Sequence, residues 1–91
     1  MRGHAIANGT YVAGVNRVGF EQQVGDGLEF WGGSFVSDPF GRVLKKASHD
    51  KEELVVVTCD RKLMEDVRRN WPFFRDRRID FYGGITKRVV D

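Results

Sequence analysis

Cysteine is almost absent from this sequence. Cys59 stands alone among 91 residues, which excludes an internal disulfide and fits a reducing compartment. Proline is scarce as well, at two residues, whereas glycine is abundant at eleven. That combination argues against a disordered linker and for tight turns and close backbone approaches. Net charge is only +2, too small by itself to predict nucleic acid or a membrane surface as partner. No apolar run approaches the roughly 20 residues that span a bilayer, and no charged-then-apolar leader opens the chain. The expectation is a soluble, cytoplasmic chain of one domain or less. A chain this short buries only about 60–65% of its unfolded surface, so its core should be thin.

What is present reads as a sequence of short elements. RGHAIAN (residues 2–8) has the look of the last turns of a helix stopped by Asn8-Gly9, both tolerant of the left-handed conformation that ends helices. Such a stub rarely stands alone, so its upstream turns are expected to be missing and Met1 not to be the natural start of a fold. TYVAGVNRV (10–18) predicts a strand, GFEQQVGDGLEFWG (19–32) a long ordered loop, and GSFVSD (33–38) with Val43–Ala47 a hairpin closed by DPFGR. In that turn Asp38 can bond its downstream backbone, Pro39 presets φ, and Gly41 accepts a positive φ. LVVVTC (54–59) is a continuous β-branched run, which predicts a strand buried on both faces. Asp60 then caps a helix with Leu63, Met64, Val67 and Trp71 on one stripe. Glu65–Arg69 and Lys62–Asp66 are its expected surface pairs, and Pro72 ends it. The remainder mixes aromatics and arginines with little period. The class is α+β with about four strands, one helix stub, one full helix and an extended tail. One helix and a stub cannot cover both faces of such a sheet.

The candidate chemistry is sparse. A lone cysteine can be a nucleophile, but Cys59 extends a valine-rich strand and is followed by Asp60, whose charge would raise the thiol pKa. It reads as a small buried hydrophobe. His4 and His49 are far apart, and no Cys/His cluster has zinc spacing. The glycines at 25, 27, 32 and 33 lack the strand–turn–helix context of a phosphate cradle. RRNWPFFRDRR could stack bases and grip phosphates, but its interleaved acids favour a docking tail whose arginines pair with Asp76 and Asp80. The loop around Glu29, Phe30 and Trp31 is the best functional candidate: an apolar wall with one carboxylate suits a small cationic ligand. A plain surface loop with an aromatic anchor explains it equally well.

Read in order, RGHAIANGTYVAGVNRVG, LEFWGGSFVSDPFGRVL and RRNWPFFRDRRIDFY resemble the C-terminal part of nitrilase-superfamily carbon–nitrogen hydrolases, nearest the N-carbamoylputrescine amidase subgroup. The resemblance runs over essentially the whole chain. It implies a portion of an α-β-β-α sandwich within a single hydrolase domain, and an enzyme that needs no metal or organic cofactor. Family members cleave C–N bonds with a Glu base, a Lys cation and a Cys nucleophile, through a covalent intermediate. All three lie before the helix ending in RGHAIANG, so none maps here, and Cys59 matches no catalytic position. The resemblance also implies that Asn16, Glu29, Phe30, Trp31 and Ser34 lie near the substrate pocket. Residues 70–91 become a dimer-docking tail, with Trp71, Phe74, Arg75, Arg77, Arg78 and Tyr82 at an interface between copies. Hydrolysis of N-carbamoylputrescine or a similar ureido or amide compound is then the parent activity, with this chain alone inactive. Two other readings stand beside it: a non-catalytic self-associating module, and nucleic-acid binding through the arginine–aromatic tail.

Overall fold

The computed structural model describes residues 1–90. Helix α1 (Arg2–Asn8) ends as its sequence predicts: Gly9 takes the left-handed conformation at φ 54°, and the Thr10 N–H returns to the Ala5 carbonyl at 3.1 Å. Strand β1 (Val12–Gly14) follows, then β2 (Val18–Glu21), β3 (Leu28–Trp31), β4 (Phe35–Ser37) and β5 (Val43–Lys46). After a segment without ladder or helix come α2 (Arg61–Asn70) and a 3₁₀ helix over Ile79–Thr86.

The strands form two antiparallel sheets. One has the order β1-β4-β5 and the other is the β2-β3 hairpin. In the larger sheet Val12 lies opposite Ser37 and Gly14 opposite Phe35, while Val36 pairs with Lys45 and Ser37 with Val43. Leu44 is therefore the extra residue of a bulge, which bends β5 where it leaves the turn. The turn forms as predicted. Asp38 Oδ1 accepts the Phe40 and Arg42 N–H groups, each at 2.9 Å, and Oδ2 accepts Arg42 Nε at 2.6 Å. Asp38 is 1% exposed. Burial pushes its carboxyl pKa up, but the Arg42 N–H, the Arg42 guanidinium and the Phe40 N–H together outweigh burial and hold it below the ordinary carboxylate range.

Three expectations need correction. The stretch 19–32 is not a loop but most of a hairpin, with Gly19 opposite Phe30 and Phe20 opposite Glu29; its two strands, less the one expected over 54–59, make five among the described residues. Its turn is closed by Gln22 Nε2 donating to the Gly25 carbonyl at 2.6 Å. Both faces of this hairpin are largely solvent-facing, which is why it lacks the apolar alternation that betrays a half-buried strand. Second, 54–59 has no ladder partner among the described residues. Leu54 is 83% and Val56 69% exposed, and Cys59 is exposed rather than buried. A β-branched run supplies strand propensity, but a ladder needs a neighbour that sequence proximity does not provide. Third, the region after α2 is not simply extended, since Ile79–Thr86 turns into 3₁₀ helix.

α2 is capped by Asp60, whose Oδ1 accepts the Lys62 N–H at 2.8 Å. The Asp60 backbone N–H and carbonyl both bond the Tyr11 hydroxyl, at 2.8 and 3.2 Å. Arg68 Nε reaches the Gly9 carbonyl at 3.1 Å, so α2 is tied to the end of α1 at two levels. Its expected surface pairs are replaced by Arg61–Glu65 at 3.6 Å. Among the described residues the buried apolar core is Ala5 and Val67. The chain is a plate of 51 × 41 × 13 Å with a radius of gyration of 18.7 Å, against about 12 Å for a compact chain of this length. Thirteen ångströms is the depth of one sheet with its side chains.

Candidate functional site

The two sheets are joined by two short connections, 15–17 between β1 and β2 and 32–34 between β3 and β4, and the candidate site is built where these cross. The Asn16 N–H donates to Ser34 Oγ at 2.8 Å, and that hydroxyl donates back to the Asn16 carbonyl at 3.1 Å. Asn16 Nδ2 donates to the Gly32 carbonyl at 2.8 Å, and the Gly32 N–H to the Arg17 carbonyl at 2.9 Å. The Gly33 N–H adds a third strand of chain by bonding the Ser48 carbonyl at 3.1 Å. A single hydroxyl that both accepts and donates, and a single amide that reaches across, satisfy the backbone at a point where neither sheet can.

Gly32 makes this crossing possible. Its φ is 58°, and a Cβ there would lie 2.6 Å from Val18 Cγ1 and 2.9 Å from the carbonyl oxygens of Ser48 and His49. Two of those three neighbours are backbone and cannot yield.

Two clefts open beside the crossing. One, of about 600 Å³, is lined by Asn16 and Ser34 together with Arg17, Lys51, Glu52 and Glu53. Glu53 Oε1 accepts the Ser48 N–H at its rim. The other, of about 650 Å³, is lined by Trp31 with Arg2, Lys46 and His49. The two clefts share Ala47 and Ser48. The sequence-predicted pocket residues are thus brought together in part. Asn16 and Ser34 touch. Trp31 lies on the neighbouring cleft, and Glu29 and Phe30 line neither. Strand alternation separates Phe30 from Trp31, which leave opposite faces of β3, while Glu29 lies further along the hairpin, opposite Phe20. Phe30 lies under the Arg17 guanidinium, 4.2 Å from the ring centroid, and Arg17 also holds Glu21 at 2.7 Å. Glu29, Phe30 and Trp31 therefore do not line one cleft of this chain, and Trp31 shares its cleft with Arg2 and Lys46. Sequence reading passed over Lys51, Glu52 and Glu53 as a polar turn. Their spacing gave no signal, because only the fold of 47–55 brings them beside Asn16.

The remaining candidates are exposed. His4 lies on α1 and His49 on the Trp31 cleft. Among the described residues no group of three or more His, Cys, Asp or Glu stands close enough to hold a metal, and no helix is long and apolar enough to cross a membrane. In the tail, Trp71 packs edge-on against Phe40 with ring centroids 5.6 Å apart. Arg75 pairs with Asp76 at 2.9 Å and Arg78 with Asp80 at 2.6 Å. The Arg78 hydrogen bond holds the Asp80 carboxyl below its ordinary range. Arg77 donates to the Phe74 carbonyl at 2.7 Å. Phe74 and Tyr82 stand exposed beside them.

Comparison with known proteins places the chain in a family. Residues 1–69 match the carbon-nitrogen hydrolase family model. The chain is 36% identical over 86 residues to the N-carbamoylputrescine amidase of Oryza sativa subsp. japonica, covering 90% of this chain and 29% of that protein. It is 41% identical over 83 residues to an (R)-stereoselective amidase of Pseudomonas sp, covering 91% and 29%. Its fold superposes on the crystal structure of a carbon-nitrogen hydrolase from Helicobacter pylori G27 with a TM-score of 0.87 and 47% identity, over 98% of this chain and 31% of that one. The chain belongs to the carbon–nitrogen hydrolase family, the nitrilase superfamily, on the N-carbamoylputrescine amidase side. It spans just under a third of the length of these relatives.

Proposed function

We propose that this chain supplies one wall of the substrate pocket and one edge of the sheet in a carbon–nitrogen hydrolase acting on N-carbamoylputrescine or a similar ureido or amide compound. The observation that carries this reading is the 36% identity to an N-carbamoylputrescine amidase over 90% of the chain. The Asn16–Ser34 crossing supports it, because a bonded Asn and Ser at the mouth of a polar cleft can orient an amide or ureido group. The base, cation and nucleophile of the family resemblance map to no residue here, so the 91-residue chain alone is inactive. Cytoplasmic placement and a role in polyamine synthesis accompany this proposal.

The test is a chimera. The matching 86-residue stretch of the Oryza sativa enzyme is replaced by this chain, and ammonia release from N-carbamoylputrescine is followed. Activity in the chimera and none from the isolated chain is the expected pair of results. A folded chimera that leaves N-carbamoylputrescine intact overturns the substrate assignment, and steady ammonia release from the isolated chain overturns its inactivity.

A second reading, a non-catalytic module that persists by self-association, is favoured by the plate shape. A compact chain of this mass exposes about 5,400 Å², whereas this one exposes 7677 Å². Nucleic-acid binding loses support, since Arg75 and Arg78 are each engaged by a neighbouring carboxylate.

A further inference from the structure

The turn that follows β5 closes on one residue, Ser48. Its hydroxyl accepts the Lys51 N–H at 3.2 Å, and Glu53 Oε1 reaches back to accept the Ser48 N–H. A backbone donor that has run past the end of the ladder is thereby satisfied by a side chain. Bonds of this charge-assisted kind are roughly twice as strong as neutral ones. Nothing nearby competes for the carboxylate, since no ion pair among the described residues includes Glu53.

The other side of Ser48 belongs to the crossing. The Ser48 carbonyl accepts the Gly33 N–H at 3.1 Å, and the Ala47 N–H donates to the Ser34 carbonyl at 2.7 Å. The Ser48 and His49 carbonyls are the backbone that packs against Gly32. Gly32 and Ser34, on either side of Gly33, are the residues that bond Asn16. Ser48 is thus held by Glu53 at its N–H and by the crossing at its carbonyl. We propose that Glu53 is a positioning residue of the substrate wall: by holding the Ser48 N–H it fixes the 47–49 backbone against Gly32 and Gly33, and through them the Asn16–Ser34 pair. This rests on reading the crossing as part of the pocket. Glu53 acts here as an anchored acceptor, not as a charge presented to the substrate.

Two substitutions in the Oryza sativa chimera separate those roles. Glu53→Ala removes the acceptor, whereas Glu53→Gln keeps an oxygen at the same reach without the charge. Glu53→Ala should raise KM for N-carbamoylputrescine about three- to tenfold with kcat changed less than about twofold, the pattern of a lost binding wall. Glu53→Gln should hold KM within about twofold of the unsubstituted chimera. Hydrogen exchange on the 91-residue chain is a second readout that needs no activity. Glu53→Ala should speed exchange of the Ser48, Gly33 and Asn16 N–H groups, and Glu53→Gln should not. Faster exchange confined to Ser48 overturns the link to the crossing. A KM unmoved by Glu53→Ala overturns the positioning role. So does a Glu53→Gln chimera as impaired as Glu53→Ala, because the charge itself would then be what the substrate meets. A chimera that is inactive with Glu53 in place overturns the substrate assignment instead, and exchange still decides the link.

Discussion

Residues 32–42 and residues 54–90 belong to one chain, yet they close their chemistry differently. In the first, partners are near in sequence or one strand away. Asp38 takes three hydrogen bonds from Phe40 and Arg42, Ser34 exchanges two with Asn16, and Gly32 fits against two carbonyls. Within it the buried Ser37 hydroxyl alone has no partner. In the second region the ion pairs are local and exposed, such as Arg75–Asp76 and Arg78–Asp80, while the Asp60–Tyr11 and Arg68–Gly9 hydrogen bonds tie it to the start of the chain. The large apolar groups Leu54, Phe74, Phe81 and Ile85 face outward. Polar satisfaction can be completed within a short stretch of chain, whereas apolar burial needs a second layer. A plate 13 Å thick does not contain one.

The first region is most vulnerable at Gly32. Gly32→Ala forces a Cβ into the Ser48 and His49 carbonyls at an unfavourable φ. It should cost about 3 kcal/mol or more, read as a large drop in the denaturation midpoint and loss of the Asn16–Ser34 crossing by amide exchange. Asp38→Asn comes next. It keeps the shape but removes a charge-assisted acceptor, and should cost about 1–3 kcal/mol in a denaturant titration at neutral pH. The pH sign follows from the depressed Asp38 carboxyl. The folded state holds this proton less readily than the unfolded chain, so the stabilisation is complete above the ordinary value of 3.8 and fades as pH falls through the lower folded value. Asp38→Asn should flatten that acid limb; an unchanged limb would show that other carboxylates govern it.

Val67→Ala is smaller still. It empties part of a two-residue core, Val67 being 4% exposed, and about 1–2 kcal/mol is expected in the same titration. At the bottom stands Arg78→Gln in the tail. Its partner Asp80 is exposed and screened by water, so the melting midpoint should not move measurably. A clear destabilisation there would contradict the picture of a tail whose ion pairs are screened at the surface.

Reading the sequence succeeded where a signal is local. The Asn8-Gly9 stop, the Asp38 turn and the Asp60 cap each depend on residues within four positions of one another, and all formed. It failed where a choice depended on distant neighbours. The β2-β3 hairpin was invisible because, with both faces largely solvent-facing, it needs no apolar alternation. Glu65 has an arginine available on either side and engages Arg61 rather than Arg69. For the candidate site, Asn16 and Ser34 were legible through family resemblance. Arg17, Lys51, Glu52 and Glu53 were not, since nothing in their spacing announces that 47–55 folds beside β1.

By itself, then, the sequence determined the family, the positions of turns and caps, and the order of helix and strand along most of the chain. These follow from covalent preferences and hydrogen bonds that span a few residues. Only the tertiary structure decided that Trp31 shares a cleft with Arg2 and Lys46 while Phe30 lies under Arg17, because alternation along β3 sends neighbours to opposite faces. Only it decided that Cys59, Val56 and Leu54 stand exposed. Burial is a property of what lies across the gap, and propensity along a chain carries no information about that.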